Sequence, residues 1–399
     1  MSESENQTGT ATDERAGAAA DRLSPLHDEH LALGASLTSF GGWQMPLRYT
    51  SDLAEHRAVR TAAGLFDLSH MGEIEVSGPQ AAAALDVALV GNLTAVPVGR
   101  ARYTMICAED GSVLDDLVVY RLAEERFLVV ANAGNAPLVT DELVRRCAGF
   151  DVTVTDEAAQ TALVAVQGPR AEEIVTSLVA PEDVQVIKDL KYYAWVDRPV
   201  AGIEALVART GYTGEDGFEL FVPATRAPEL WRALLSAGEP LGMVPAGLSA
   251  RDSLRLEAGM PLYGHELDTT TTPYEAGLGR VVRLDKVDAD GNPLEFVGRA
   301  ALASRKGAQP ARVLVGLRGL GKRPARAGHA LLIPGKDPAV QIGQVTSGAP
   351  SPTLGYPVAM AYVTPEFSAE GTELAVDVRG REEPVVVVAM PFYRRAQQS

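Results

Sequence analysis

A chain of 399 residues is too long for one simple hydrophobic core, and two or three domains are expected. With 46% apolar and 22% charged residues it has the make-up of an ordinary globular protein, and it contains no run of about 18 apolar residues that would span a membrane. The formal net charge of −16 argues against nonspecific nucleic-acid binding and against a basic membrane-docking face, while leaving room for a local basic pocket.

Residues 1–24 are mostly Ser, Thr, Ala, Gly, Glu and Asp, with no hydrophobic signal core and too many acids for a transit peptide. They read as a disordered tail, and the folded chain is expected to begin near Ser24-Pro25-Leu26. Helical spacing over 26–37 puts Ser24 at the N-cap and Pro25 at the first helical position. Phe40-Gly-Gly-Trp-Gln-Met-Pro46 reads as a loop, 52–62 as a second helix, and Gly64-Leu-Phe-Asp-Leu-Ser-His-Met-Gly72 as the lead into a strand at 73–76. A helix at 79–90 precedes strand-like segments at 102–107, 113–120 and 127–131. Further helices are expected near 137–147, from Gly168-Pro169 to about 179, and at 227–237. Residues 286–294 are polar and turn-rich, and Phe296-Val-Gly-Arg299 opens another helix. From 311 onward short strands are divided by Gly and Pro, as in a small β-barrel. Without regular βαβ periodicity the fold class is α+β with an all-β C-terminal domain, divided into 25–305 and 306–399.

Several residues do not fit a purely structural role. Gly211-Tyr-Thr-Gly-Glu-Asp-Gly217 follows the apolar run at 205–208, and its glycines fit a tight turn that comes close to something. In the strand that follows, Phe218 and Leu220 face one side and Glu219 the other. A carboxylate there is costly unless it faces water, as in a simple hairpin, or a donor-rich partner. Asp115 and Asp116 interrupt an apolar strand on opposite faces, with Asp116 sharing its face with Val118 and Tyr120. Such an acid can hold a proton or a developing cation, or be solvated on an edge strand. Asn132 ends another apolar strand, where its amide can read a heterocycle edge or cap a turn. Arg251 opens a helix, gains nothing from the positive end of its dipole, and needs an internal acid or another anionic or polar partner.

Other motifs are weak. Gly316-Leu-Arg-Gly-Leu-Gly-Lys-Arg323 lacks the hydroxyl of a phosphate-binding loop and reads as a strand-end turn. His27 and His30 have no third ligand nearby and are expected at the surface. There is no serine-hydrolase elbow and no dinucleotide fingerprint. Cys107 and Cys147, far apart and without a CxxC, exclude a cysteine-built metal site and suit a reducing, cytoplasmic setting. What remains is a set of carboxylates, an amide, a Tyr and an Arg, with Trp43, Met45 and Met71 as apolar company. It suits a planar ligand with donor-rich edges and an anionic tail.

The motifs together resemble those of the glycine cleavage system T-protein family, aminomethyltransferases that use tetrahydrofolate. The likeness runs in order through Ser24-Pro-Leu-His27, the 40–46 and 64–71 segments, Leu114-Asp-Asp-Leu117, Val166-Gln-Gly-Pro169 and Thr210-Gly-Tyr-Thr-Gly-Glu-Asp-Gly-Phe-Glu219. It continues through Ala250-Arg-Asp252, Leu254-Arg-Leu-Glu-Ala258, Thr346-Ser-Gly348 and Ser351-Pro-Thr-Leu-Gly355, leaving out only the N-terminal tail. The resemblance implies a three-domain cloverleaf around a central folate site. It places Asp116, rather than Asp115, beside nitrogen 10 of the folate as the catalytic acid. It gives Glu219 the pterin edge, has Tyr212 and Asn132 line the same pocket, and puts Arg251 against the folate beyond the pterin. Tyr103, Met71 and Val118 become walls. It also implies the lipoylated H-protein as partner, no metal, and 5,10-methylenetetrahydrofolate, ammonia and dihydrolipoyl H-protein as products. The alternative within the same fold is a folate-dependent demethylase of a small methylated compound. A folate-binding iron–sulfur maintenance protein would carry a KGCYxGQE-type motif, and oxidative demethylases a flavin domain with a dinucleotide fingerprint; the sequence has neither.

Overall fold

The computed structural model describes residues 20–288 and 290–395. Period-two alternation along Val113–Ala123 gives one long strand whose two faces belong to different layers. Leu117 and Val119 pack with Ile74, Val76, Leu85 and Phe127, whereas Tyr120 packs with Leu128, Val130 and Leu163. The strand is second in an antiparallel sheet ordered Ala101–Cys107, Val113–Ala123, Arg126–Ala131, Gly72–Ser77, Thr153–Asp156. Helices Ala81–Ala88 and Ala136–Cys147 bury Leu85, Val139 and Leu143 against its outer face.

A second sheet runs Trp195–Asp197, Leu206–Ala208, Gly217–Pro223, Thr161–Gln167, Ala63–Asp67, Met243–Pro245, with only the last pair parallel. Helices Ala171–Thr176, Val184–Asp189 and Ala227–Gly238 cover one side, and Trp231 of the last is fully buried. On the other side Phe66, Leu163, Ala165 and Phe221 meet Tyr120, Leu128 and Val130 of the first sheet. The first sheet is thus inserted between two adjacent strands of the second, and an apolar layer joins them. The C-terminal strands close into a six-stranded barrel, Val313–Gly319, Pro357–Val363, Gln341–Pro350, Ala330–Leu332, Glu373–Asp377, Glu382–Val388. Its interior is filled by Leu317, Leu331, Val345, Ala361, Val376 and Val387, and closure removes the exposed edges. The α+β class with an all-β end is the architecture observed.

The first fifty residues depart from the sequence reading. The helix is only His27–Ala32; Gly34 at φ +72° stops it. Ser36–Phe40 is a strand that pairs with Trp43–Arg48 across Gly41 and Gly42, both at positive φ, so the expected loop at 40–46 is one arm of a hairpin. Residues 1–19 of the expected tail lie outside the described residues. Within the rest of it, Arg22–Leu23 pairs with Trp43 and Gln44. Ser24 does not cap the helix but anchors it: its hydroxyl accepts from the Leu26 N–H at 3.1 Å and donates to Asp67. His30, expected at the surface, is buried, with Nε2 2.8 Å from Asp67 and Nδ1 2.9 Å from the Tyr49 hydroxyl. Burial lifts the Asp67 carboxyl, but hydrogen bonds from His30, Ser24 and Ser69 outweigh it and hold the group below its ordinary value.

One buried cation ties the inserted sheet to the segment that follows the second sheet. The Lys286 ammonium donates to the carbonyls of Asp86, Leu89 (2.7 Å) and Gly91 (3.0 Å) and lies 3.9 Å from the centre of the Phe296 ring. These carbonyls end the helix Ala81–Ala88, where the dipole is negative. Lys286→Met keeps the stem and strands the carbonyls, so denaturant unfolding is expected to show a loss of about 2–3 kcal/mol. An unchanged midpoint would mean that water replaces the ammonium freely.

Candidate active site

Where the apolar layer between the two sheets ends, their facing strands line a cavity of about 560 Å³. Asp116 projects into it from the middle of Val113–Ala123. Tyr103, on the neighbouring strand opposite Val118, donates its hydroxyl to Asp116 Oδ2 at 3.0 Å. The Asn132 amide donates to Asp116 Oδ1 and to Asp115 Oδ1, each at 2.8 Å. Asn132 therefore bridges the two acids and does not cap the short helical turn that follows it. Asp115 faces away from the cavity, fully buried, and also accepts from the Asn132 N–H at 3.0 Å and from Asn135 Nδ2 at 2.8 Å.

Burial raises both carboxyls. For Asp115 the adjacent Asp116 charge adds to it, pushing it up to about 7 despite the Asn135 and Asn132 donors. For Asp116 the Tyr103 and Asn132 hydrogen bonds restrain the rise. Two acids joined through one amide resist double ionisation and titrate as a pair. Asp116 is the member that faces the cavity, oriented by the Tyr103 and Asn132 donors.

The opposite wall comes from Gly217–Pro223. Phe218 and Leu220 enter the core of the second sheet, so Glu219 faces the cavity, where Thr210 Oγ1 and Tyr120 Oη (3.3 Å) donate to it. Burial raises its pKa, and the Thr210 hydrogen bond and the Arg251 charge oppose the rise. The glycine turn is pinned by Gln167, whose Nε2 donates to the Thr210 carbonyl at 3.0 Å and whose Oε1 accepts from Thr213 Oγ1 at 2.9 Å. A Cβ on Gly211 or Gly217 would collide with that same amide, which explains the close backbone approach. Tyr212, in the turn, donates to the Pro261 carbonyl. Arg251 stacks on it, Cζ 4.7 Å from the ring centre, and forms no ion pair with a carboxylate among the described residues. The internal acid that the sequence allowed for Arg251 is absent from that set, so its charge is left facing the cavity.

The eight site residues assigned from sequence, Asp116, Glu219, Tyr212, Arg251, Asn132, Tyr103, Met71 and Val118, all line this one cavity, whereas Trp43 and Met45, expected as apolar company, do not. Tyr193, His70, Tyr263 and Leu278 line it too and were missed. Tyr193 stands on an irregular segment at φ +59°, where no periodicity signals its direction. His70 lay inside a quoted motif without a role. A second chamber of about 410 Å³ adjoins the first and shares Gly41, His70, Met71, Ala133 and Gly134 with it; Arg22, Trp43, Asp141 and Asp156 line its far side.

Two acids held at opposite walls of a cavity, beside a guanidinium with no carboxylate partner among the described residues, make this the candidate binding and catalytic site for a polar ligand. The GCVT N-terminal domain profile matches residues 26–286, and the glycine cleavage T-protein C-terminal barrel domain matches 312–394. The aminomethyltransferase of Streptomyces coelicolor is 58% identical over 378 residues, covering 94% of this chain and 98% of that protein. That of Moorella thermoacetica is 45% identical over 377 residues, covering 94% and 99%. The crystal structure of the glycine cleavage system aminomethyltransferase T from Bartonella henselae superposes with a TM-score of 0.83 at 37% identity, covering 93% of this chain and 98% of that one. The chain belongs to the glycine cleavage T-protein family, the aminomethyltransferases.

Proposed function

We propose that this aminomethyltransferase moves the aminomethyl carbon from the lipoyl arm of an H-protein to tetrahydrofolate, as a cytoplasmic enzyme. The observation that carries the reading is the opposition of Asp116 and Glu219 across a single cavity with Arg251 unpaired beside it. Glu219 meets the amidine-like edge of the pterin, two N–H donors against one carboxylate. Tyr212 and Asn132 line the same pocket, Arg251 holds the folate beyond the pterin, Tyr103, Met71 and Val118 flank it, and Asp116 lies beside nitrogen 10. The second chamber admits the lipoyl arm, so that the two substrates meet at the shared wall. The catalytic region is 25–305 and the C-terminal domain 306–399, whose barrel strands Gln341–Pro350 and Pro357–Val363 pack against helix Leu248–Glu257.

The methylene carbon exchanges its bonds to sulfur and to the amine nitrogen for bonds to nitrogens 5 and 10 of the folate. The two folate N–H protons balance those taken up by the thiolate and the departing ammonia. Asp116 stabilises the iminium-like carbon as it forms and receives the nitrogen 10 proton. Positioning two large substrates supplies much of the remaining acceleration.

The test is ammonia release from aminomethylated H-protein with and without tetrahydrofolate. Strong folate-dependent release is expected. Folate binding without release, together with turnover of a small methylated compound, would favour the demethylase. In the same assay Glu219→Gln, which replaces one acceptor oxygen with a donor, is expected to raise the folate KM roughly ten- to a hundredfold with a smaller change in kcat. An unchanged KM would remove Glu219 from the pterin.

A further inference from the structure

His70 has no part in the chemistry assigned so far. Its ring is 2% exposed, stands in the wall shared by the two chambers, and is held edge-on by Phe40 with ring centres 5.5 Å apart. Nδ1 is shut off from solvent without a hydrogen-bond partner, and Nε2 makes no hydrogen bond among the described residues either. A polar ring left unpaired in a buried wall is costly, and a ligand that supplies a partner offsets that cost. Burial and the Arg251 charge lower its pKa to about 4, so the ring is neutral near pH 7 and offers both a lone pair and an N–H. The chamber behind it carries Asp141 and Asp156 against the single Arg22, which stacks on Trp43 with Cζ 5.7 Å from the ring centre. A neutral acceptor in front of two acids favours an amine over an anion.

We propose that His70 is the amine-recognising residue of this site: Nε2 hydrogen-bonds the amino group of the aminomethyl unit at the junction of the chambers, orienting it for departure as ammonia. The proposal rests on the aminomethyl-transfer reading. It separates recognition of the amine from recognition of the folate, which Glu219 and Arg251 perform on the other side of the wall.

The experiment is the reverse reaction, in which ammonium, 5,10-methylenetetrahydrofolate and dihydrolipoyl H-protein are varied in turn. His70→Gln reaches the position of Nε2 with a polar atom, whereas His70→Asn reaches only that of Nδ1. His70→Asn is expected to raise the ammonium KM roughly tenfold and leave the methylenetetrahydrofolate KM within about twofold, while His70→Gln stays within about threefold of the parent for both. Melting temperatures of both variants check that the wall is intact. Equal behaviour of the two variants, or a parallel rise in both KM values, would overturn the proposal and leave His70 as packing. Absence of any ammonium-dependent reaction in the parent chain would overturn the functional reading itself, a different result from either.

Discussion

Asp116→Asn is expected to lower folate-dependent ammonia release by roughly a hundred- to ten-thousandfold while changing folate affinity by less than about threefold. The substitution keeps the shape of the side chain and leaves an oxygen to accept from Tyr103 or Asn132, so the strand pairing with Ala101–Cys107 is undisturbed. On the proposed reading it removes the negative charge assigned to the reacting carbon and to the nitrogen 10 proton. Asp115→Asn is the control. Among the described residues the Asp115 carboxylate accepts hydrogen bonds from Asn132 and Asn135 alone, on the far side of the strand, and its expected influence is through where Asn132 points. Its loss is expected to cost about tenfold or less in kcat. The order of the two effects decides the assignment, and a larger loss at Asp115 than at Asp116 would move the catalytic acid by one residue. Steady-state kinetics at saturating folate, with folate binding measured separately by calorimetry, reads both quantities.

The facing of Asp116 and Glu219 was legible because a strand has a fixed period of two: once Leu117, Val119, Phe218 and Leu220 are assigned to cores, their neighbours have one direction left. The same logic put Val118 and Tyr120 on the face of Asp116, whereas Tyr103 and Met71 came only from the family resemblance. The glycine turn was legible for a different reason, since closely spaced glycines exclude a helix. The segment from 26 to 46 was misread because residues 26–37 satisfy helical spacing and strand alternation at different points, and Gly34 marks the change. His30 looked like a surface residue because its partners, Asp67 and Tyr49, come from other elements and nothing in the local pattern announces them. Tyr193, Tyr263 and Leu278 enter the cavity from irregular segments, whose side-chain directions depend on tertiary contacts. One further feature of Asn132 was not legible: its amide lines the cavity and also links two acids that the sequence shows only as adjacent letters.

Removing the Glu257 carboxylate is expected to be strongly destabilising. The group is fully buried, and it accepts from Arg60 Nε at 3.0 Å and Nη2 at 2.8 Å, from Thr353 Oγ1 at 2.8 Å and N at 3.2 Å, and from the Ser351 hydroxyl, with His56 Nε2 3.2 Å away. Arg60 reaches on to Glu215 at 2.9 Å and to the Thr213 carbonyl at 2.7 Å, and its guanidinium lies 4.0 Å from the centre of the Tyr393 ring. One carboxylate thus joins helix Asp52–Thr61, the glycine turn that carries Tyr212, helix Leu248–Glu257 and the 351–355 turn of the barrel. Glu257→Leu leaves an under-compensated guanidinium and several donors in a dry junction, a loss of about 3–5 kcal/mol. The folate KM should rise as well, because the turn that positions Tyr212 loses its anchor. The same network sets an acid limit. Burial lifts the Glu257 carboxyl, but the His56, Ser351 and Arg60 contacts outweigh it and bring it from 4.5 down to about 2. A carboxyl depressed in the folded state contributes stability that is whole above the unfolded value and is lost as pH falls toward the folded one. The parent should therefore lose stability steeply between about pH 4.5 and 2, and Glu257→Leu should lose less over the same window. Parallel pH profiles for the two proteins would show that the junction is held by packing, with the carboxylate a minor contributor.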